Sequence, residues 1–224
     1  MVMADQAVAL EASDVFGLGG LWIPQSSTLS TENEYAQMIK ANGDFEKWSS
    51  TFNAITNITN PYKYNADTGM GTAMPNIGKV SNGYLITEMS VESIYNDYPT
   101  VNFTGHNHGE NAHIDDRTQY AVSIPLLLTG ALGAYDLAGL AADEVCATRS
   151  TYTISVNHLD AECDGGDHWV GQNLQGMESI TVEYIGLIDT FTVAGWTVRN
   201  YTLDDSNEAF DTSSITFEKY LTRV

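Results

Sequence analysis

Three histidines, His106, His108 and His113, fall within eight residues, interleaved with carboxylates at Glu110, Asp115 and Asp116. Imidazole and carboxylate are ordinary ligands of divalent transition ions. On an extended strand His106 and His108 project to the same side, so both rings can face one cation while the following loop supplies a carboxylate. The chemistry implied is binding of Zn²⁺ or a similar ion, with His113 as a further candidate ligand. The plainer reading is structural: histidine and asparagine at a polar strand end serve as loop and interface groups.

A second cluster, Asp160, Glu162, Asp164, Asp167 and His168, holds Asp-x-Asp-Gly fragments of the kind found in calcium loops. The spacing matches no EF-hand, and no bidentate glutamate follows at the required position, so a solvated loop is the simpler expectation. Nucleophile elbows, phosphate-binding glycine loops and dinucleotide fingerprints are all absent from the sequence. Carboxylate pairs abound in a chain this acidic and so carry little specificity for acid–base catalysis. Trp22, Trp48, Trp169 and Trp196 could line a sugar site, but tryptophans more often anchor cores and interfaces. The sequence predicts no catalytic residue and no cofactor.

The elements that must position these residues read as strands. In GYLITEMSVESIYNDYPTVNFTGHNH, Tyr84, Ile86, Met89, Val91 and Ile94 recur near every second position, with one slip near Thr87–Met89 of the sort a bulge makes. Asn96-Asp97-Tyr98-Pro99 is turn chemistry, and Val101 and Phe103 then alternate with Thr100, Asn102 and Thr104. The two halves predict an antiparallel hairpin that delivers His106 at the end of its return strand.

Further strands are expected over 45–64, 119–128, 151–158, 177–188, 195–203 and 215–224. Tyr35–Ile39 reads as strand or as the end of a short helix capped at Ser30 or Thr31. Asn42-Gly43-Asp44 marks a turn. Loops are expected over 65–82, 160–175 and 204–211. The fold class that follows is all-β: an antiparallel β-sandwich or partly closed barrel with long loops and at most one or two short helices. Residues 1–30, with Phe16-Gly-Leu-Gly-Gly-Leu-Trp-Ile-Pro, read as an N-terminal arm that packs on its own domain or reaches a neighbour. Residues 31–224 read as a single β-sandwich domain.

Composition narrows the partners. The chain has 224 residues, enough to bury roughly 70% of the unfolded surface. Its 29 acids against 9 bases give a formal charge of −20. That balance argues against gripping a phosphate backbone, which takes Lys/Arg patches. It fits a particle that repels its own kind until docked, or a halophilic origin. Residues 121–142 are apolar, but Pro125 and Asp136 interrupt them and no cationic flank anchors them, so a membrane span is not expected. Met1-Val-Met-Ala-Asp-Gln has no basic region before an apolar run, so a secretory signal is not expected. Cys146 and Cys163 form no CxxC pair and read as two unrelated thiols, one disulfide being the other possibility.

Taken together, the strand-rich pattern, the hairpin GYLITEMSVES…YPTVNFTGHNH, the long loop at 65–82, the glycine-rich apolar arm at 14–25 and the acidic polar loops resemble the tail-tube (major tail) proteins of tailed bacteriophages. The resemblance implies a virion protein made in the host cytoplasm. It implies a subunit of rings, usually hexameric, stacked into a hollow tube and joined to other tail proteins. DNA would traverse the tube without specific binding, past a wall that presents acids, and the arm and the long loop would bridge stacked rings. Two other classes fit the same composition: a capsid or other virion protein of sandwich or jelly-roll fold, and a metal- or carbohydrate-binding β-sandwich.

Overall fold

The computed structural model describes residues 6–10, 14–18, 22–43, 45–64, 74–95, 97–107, 119–122, 138, 140, 145–162, 168–188, 192–205 and 209–221. Among the described residues there is no helix. The described residues hold eleven strands in chain order: β1 (Gln6–Leu10), β2 (Trp22–Pro24), β3 (Ser27–Ile39), β4 (Phe45–Tyr64), β5 (Val80–Ser81), β6 (Tyr84–Ile94), β7 (Thr100–Asn107), β8 (Cys146–Glu162), β9 (His168–Ile185), β10 (Thr197–Asp204) and β11 (Thr212–Leu221). They form one antiparallel sheet in the order β1-β3-β4-β7-β6-β8-β9-β11-β10, with β2 beside β4 and β5 beside β6. The sheet is open, not closed into a barrel, and its fold is all-β as the alternation predicts.

The register explains why one face is core. Val101, Val91, Tyr152, Ile180 and Phe217 stand opposite one another across β7-β6-β8-β9-β11, and each is buried. The next row on this face runs through buried Phe103, Met89, Ile154 and Glu178 and ends at the exposed Lys219. The intervening rows are polar: Asn102, Ser90, Thr153, Ser179, Glu218, and then Thr100, Glu92, Thr151, Thr181, Thr216. Period-2 patterning on five strands in common register therefore makes one apolar face and one hydroxyl-rich face. The slip expected near Thr87 is a bulge between Ile86 and Glu88.

Tyrosines fill much of the core, and their hydroxyls need partners there. Tyr62 donates to Asn60 Oδ1 at 2.7 Å, and Tyr120 donates to the Leu174 carbonyl at 2.7 Å. The Phe16 amide donates to Tyr62 Oη at 3.1 Å. Burial pushes the Tyr62 phenol well above its ordinary range, although the Phe16 amide bond acts against that shift.

Of the two placements expected for the segment 1–30, its described part takes the first, packing on its own domain: Phe16, Leu18 and Trp22 are buried in the main core, and β1 and β2 pair with β3 and β4. So large an apolar load has to leave water, and its own sheet is within reach. Other sequence expectations need correction. The acidic stretch 160–175 is not a long loop. β8 runs through Glu162 and β9 starts at His168, because ladder pairing with a long partner outweighs the weak strand propensity of Gly and Asp. In the stretch 119–128, the described residues 119–122 contribute one isolated bridge, Ile77 to Tyr120, and no strand.

Residues 35–39 belong to β3, and Asn42-Gly43 makes the turn, with Gly43 at φ 90°. The expected loop 65–82 ends in a hairpin that the sequence does announce. Asn82 and Gly83, at φ 48° and 85°, form the tight turn joining β5 to β6, the pattern of a type I′ connection. Residues 65–73 and 123–137 lie outside the described residues. No helix among those described is long and apolar enough to cross a membrane.

Candidate functional site

Two kinds of feature can act on something outside the chain: a pair of ribbons with open sheet edges, and a histidine pair at the end of β7.

The ribbons follow from unequal strand lengths. β4 is 20 residues long, but β7 pairs with it only over Thr56–Lys63. Towards the Asn42-Gly43 turn, β4 pairs with β3 alone among the described residues. β8 and β9 are 17 and 18 residues long, yet β6 reaches β8 only as far as Ser155 and β11 reaches β9 only as far as Gly176. Among the described residues, β8 and β9 pair only with each other beyond those points. Two two-stranded ribbons thus leave the sheet body, and an isolated two-stranded ribbon is at best marginally stable in water.

The sheet also ends in open strands. No described strand pairs with the outer side of β1 or of β10. Almost every residue of β10 is exposed, including Tyr201 and Leu203, and Tyr220 on neighbouring β11 is 64% exposed. An edge with apolar side chains and unpaired ladder groups is a template for another strand.

The hydroxyl-rich face lies between these edges. Thr181 and Thr216 hydroxyls are 3.0 Å apart across β9 and β11. The cations on this face are engaged. Arg149 donates from Nε to Glu92 Oε1 at 2.7 Å and also lies beside Glu183, while Lys63 donates to Asp97 at 3.0 Å. Hydrogen bonding from Lys63 holds the Asp97 carboxyl below its ordinary value. A shallow concavity of about 380 Å³ opens here over β3, β4, β6 and β7, lined by residues such as Thr28, Thr59, Glu92 and Asn102.

On the core face, Glu178 is only 4% exposed and accepts from the Tyr152 hydroxyl at 2.8 Å and from Lys219 Nζ at 3.0 Å. Lys219 Nζ also lies 5.5 Å from the Trp196 ring centroid. Burial first, and the Glu178 charge second, push the Tyr152 phenol far above its ordinary value. Both oxygens of the carboxylate are paired within the fold. Its role is to close the edge of the core.

Of the predicted metal ligands, His106 is in β7, in register with Asn57 on β4 and Leu85 on β6. His108 and His113 lie outside the described residues. The ring that meets His106 is His158 of β8, with centroids 5.1 Å apart and planes inclined at 50°. Sequence reasoning missed His158 because it lies 52 positions away; only the sheet brings the two together. Among the described residues no group of three or more His, Cys, Asp or Glu is placed to hold a metal ion.

Trp22 is 2% exposed and packs on Tyr64 at 5.0 Å, which removes it as a sugar platform. Trp196 is half-buried beneath Lys219. The side chains of Trp48 and Trp169 lie outside the described residues. Cys146 is an exposed free thiol at the start of β8, and Cys163 lies outside the described residues. Neither a protein-family model nor a curated protein sequence matches the chain.

Proposed function

We propose that this chain is a structural protein that assembles with copies of itself into stacked rings forming a hollow tube, in the manner of the phage tail-tube class. The observation that carries the reading is the open sheet whose terminal strands, β1 and β10, both lack an outer neighbour among the described strands. Pairing between the β10 edge of one subunit and an edge of the next would bury Tyr201 and Leu203 and satisfy a row of backbone groups. The two ribbons, each marginal alone, would gain partners on adjacent subunits. The hydroxyl- and carboxylate-lined face is suited to a wall along which DNA slides, since it offers few unpaired cations for phosphate contacts.

The charge of −20 sets a condition on assembly. Subunits repel at low salt, and the screening length falls from about 10 Å at 0.1 M to about 3 Å at 1 M, so assembly should rise with ionic strength. The capsid alternative draws less support, because a jelly roll needs two interleaved Greek keys. Here β3-β4, β6-β7, β8-β9 and β10-β11 are hairpins of sequence neighbours.

Negative-stain microscopy across protein and salt concentration tests the proposal. Hollow tubes or stacked rings of uniform diameter are expected. Closed shells would transfer the role to a capsid, and monodisperse particles at every condition would end the assembly reading. In assembled material, Glu88→Lys with Glu183→Lys should create salt-sensitive DNA retention that the parent tube lacks. Equal retention by both would count against an anti-adhesive wall.

A further inference from the structure

Both ribbons leave the same end of the sheet, and the opposite end carries an apolar rim. The antiparallel pairings run β3 and β8 towards the ribbon end and bring β4, β6, β9 and β10 to a finish at the other. There the strand ends and turns present Ile23, Tyr95, Tyr98, Ile185, Leu187 and Phe210, each between 39% and 79% exposed. We propose that this rim seats the ribbons of a second copy of the chain, stacked head to tail on the first. The inference rests on the tube reading and names the contact that joins one ring to the next.

Three observations support it. The first is continuity. Ile23 is in register with Lys63, whose ammonium donates to Asp97 beside Tyr98. The Tyr95 amide donates to the Thr148 carbonyl of β8 at 3.0 Å, and Cys146 on that strand is in register with Ile185. The Gly186 amide, beside Leu187, donates to the Asp211 carbonyl at 2.7 Å, next to Phe210. These positions therefore follow one line across the sheet end. Single exposed apolar side chains are ordinary on a surface, whereas a continuous line of them marks a contact site.

The second is what the ribbons bring. Leu159, on the part of β8 that continues beyond β6, is 59% exposed and adds an apolar group to the ribbon end. The third is charge. The ribbon stretches carry Glu32, Glu34, Glu46, Asp160 and Glu162 against Lys40 and Lys47, so ribbon against ribbon would set like charge against like. Rim against rim would close a pair and stop. Rim against ribbon uses both ends of every copy and repeats without limit, as a heterologous contact does.

The test compares the unsubstituted chain with Tyr95→Ser combined with Phe210→Ser, by negative-stain microscopy at a salt concentration where tubes form. Both side chains are exposed, so denaturant unfolding should be unchanged, and tubes should give way to single unstacked rings. A second measurement leaves the rim intact. In a Cys163→Ser background, a short bifunctional maleimide should join Ala41→Cys, at the β3-β4 turn, to the exposed native thiol of Cys146 at the rim, giving ladders of linked copies. Tubes undiminished by the two serine substitutions would overturn the proposal. So would the absence of that ladder in assembled protein, or dimers linked through Cys146 alone, which would show rim meeting rim. Each of these results leaves ring formation through the sheet edges standing. Failure of the unsubstituted chain to associate under any condition would instead end the tube reading and this contact together.

Discussion

The sheet body and the two ribbons are built from the same strands, yet different physics holds them. In the body, β7, β6, β8, β9 and β11 share one register, so Val101, Val91, Tyr152, Ile180 and Phe217 bury one another in a single row. Each strand there has a neighbour on both sides. In the ribbons, β3 with β4 and β8 with β9 continue past their outer neighbours and, among the described strands, pair only with each other. A body of this kind explains itself by burial. A ribbon of this kind does not: past the described neighbours, its ladder rests on the pairing of its own two strands.

That contrast can be broken from either side. The largest effect should come from the body: Phe103→Ala removes a ring packed between Phe16 and Tyr62 and should cost about 3–5 kcal/mol by denaturant unfolding. A loss below about 1 kcal/mol would mean that the core row is not what holds the sheet. Glu178→Ala comes next, at about 1–3 kcal/mol, because it strands the buried Tyr152 hydroxyl while Lys219 can turn to solvent. Glu178→Gln should recover part of that loss through the retained acceptor; no recovery would assign the effect to charge instead.

Hydrogen exchange reads the contrast directly. In unassembled protein, amides of β7 over 101–105 should exchange at least about tenfold more slowly than those of β3 over 34–39. On assembly the β3 amides should become protected as well. Equal protection in the dispersed protein would show that the ribbon needs no partner.

Alkaline pH tests the body's tyrosines. Because Tyr62 and Tyr152 have folded values raised above the ordinary 10.0, the unfolded chain ionises first. Stability is thus intact below about pH 10 and declines as pH rises past it, and phenolate absorbance from these two should appear only with unfolding. Their ionisation in folded protein at pH 10–11 would contradict the burial argument.

The smallest effect on stability should come from the sheet edge. Tyr201→Glu with Leu203→Glu, both exposed, should change monomer stability by no more than about 0.5 kcal/mol. The same pair should abolish self-assembly. Tubes formed undiminished by this variant would remove β10 from the proposed interface.

Much of the body was legible in the residues. The 84–94 and 100–107 hairpin, its bulge beside Thr87 and the turn at Asn42-Gly43 all follow from period-2 alternation and turn chemistry. The Asn82-Gly83 turn was equally legible and lay at the end of a stretch read as loop, because the strand before it, β5, has only two residues and gives no alternation to register. One misreading has a clear physical cause. Residues 160–162 and 168–175 look like loop because Asp, Gly and Asn are poor strand formers, but a partner strand in register supplies the ladder that propensity lacks. His106 was visible as a candidate ligand, whereas His158 was visible only as one more strand residue.

By itself the sequence determined the class of fold, the two-faced strands, the acid excess and the absence of enzyme motifs, because these depend on residue type and on spacings of two to four positions. Only the tertiary structure decided the strand order, the burial of Phe16 and Trp22 in the core, the reach of the ribbons, the open edges and the meeting of His106 with His158. Those depend on which distant strands share a register. Register is fixed by the summed burial of whole rows across the sheet, and no local stretch of the chain contains that sum.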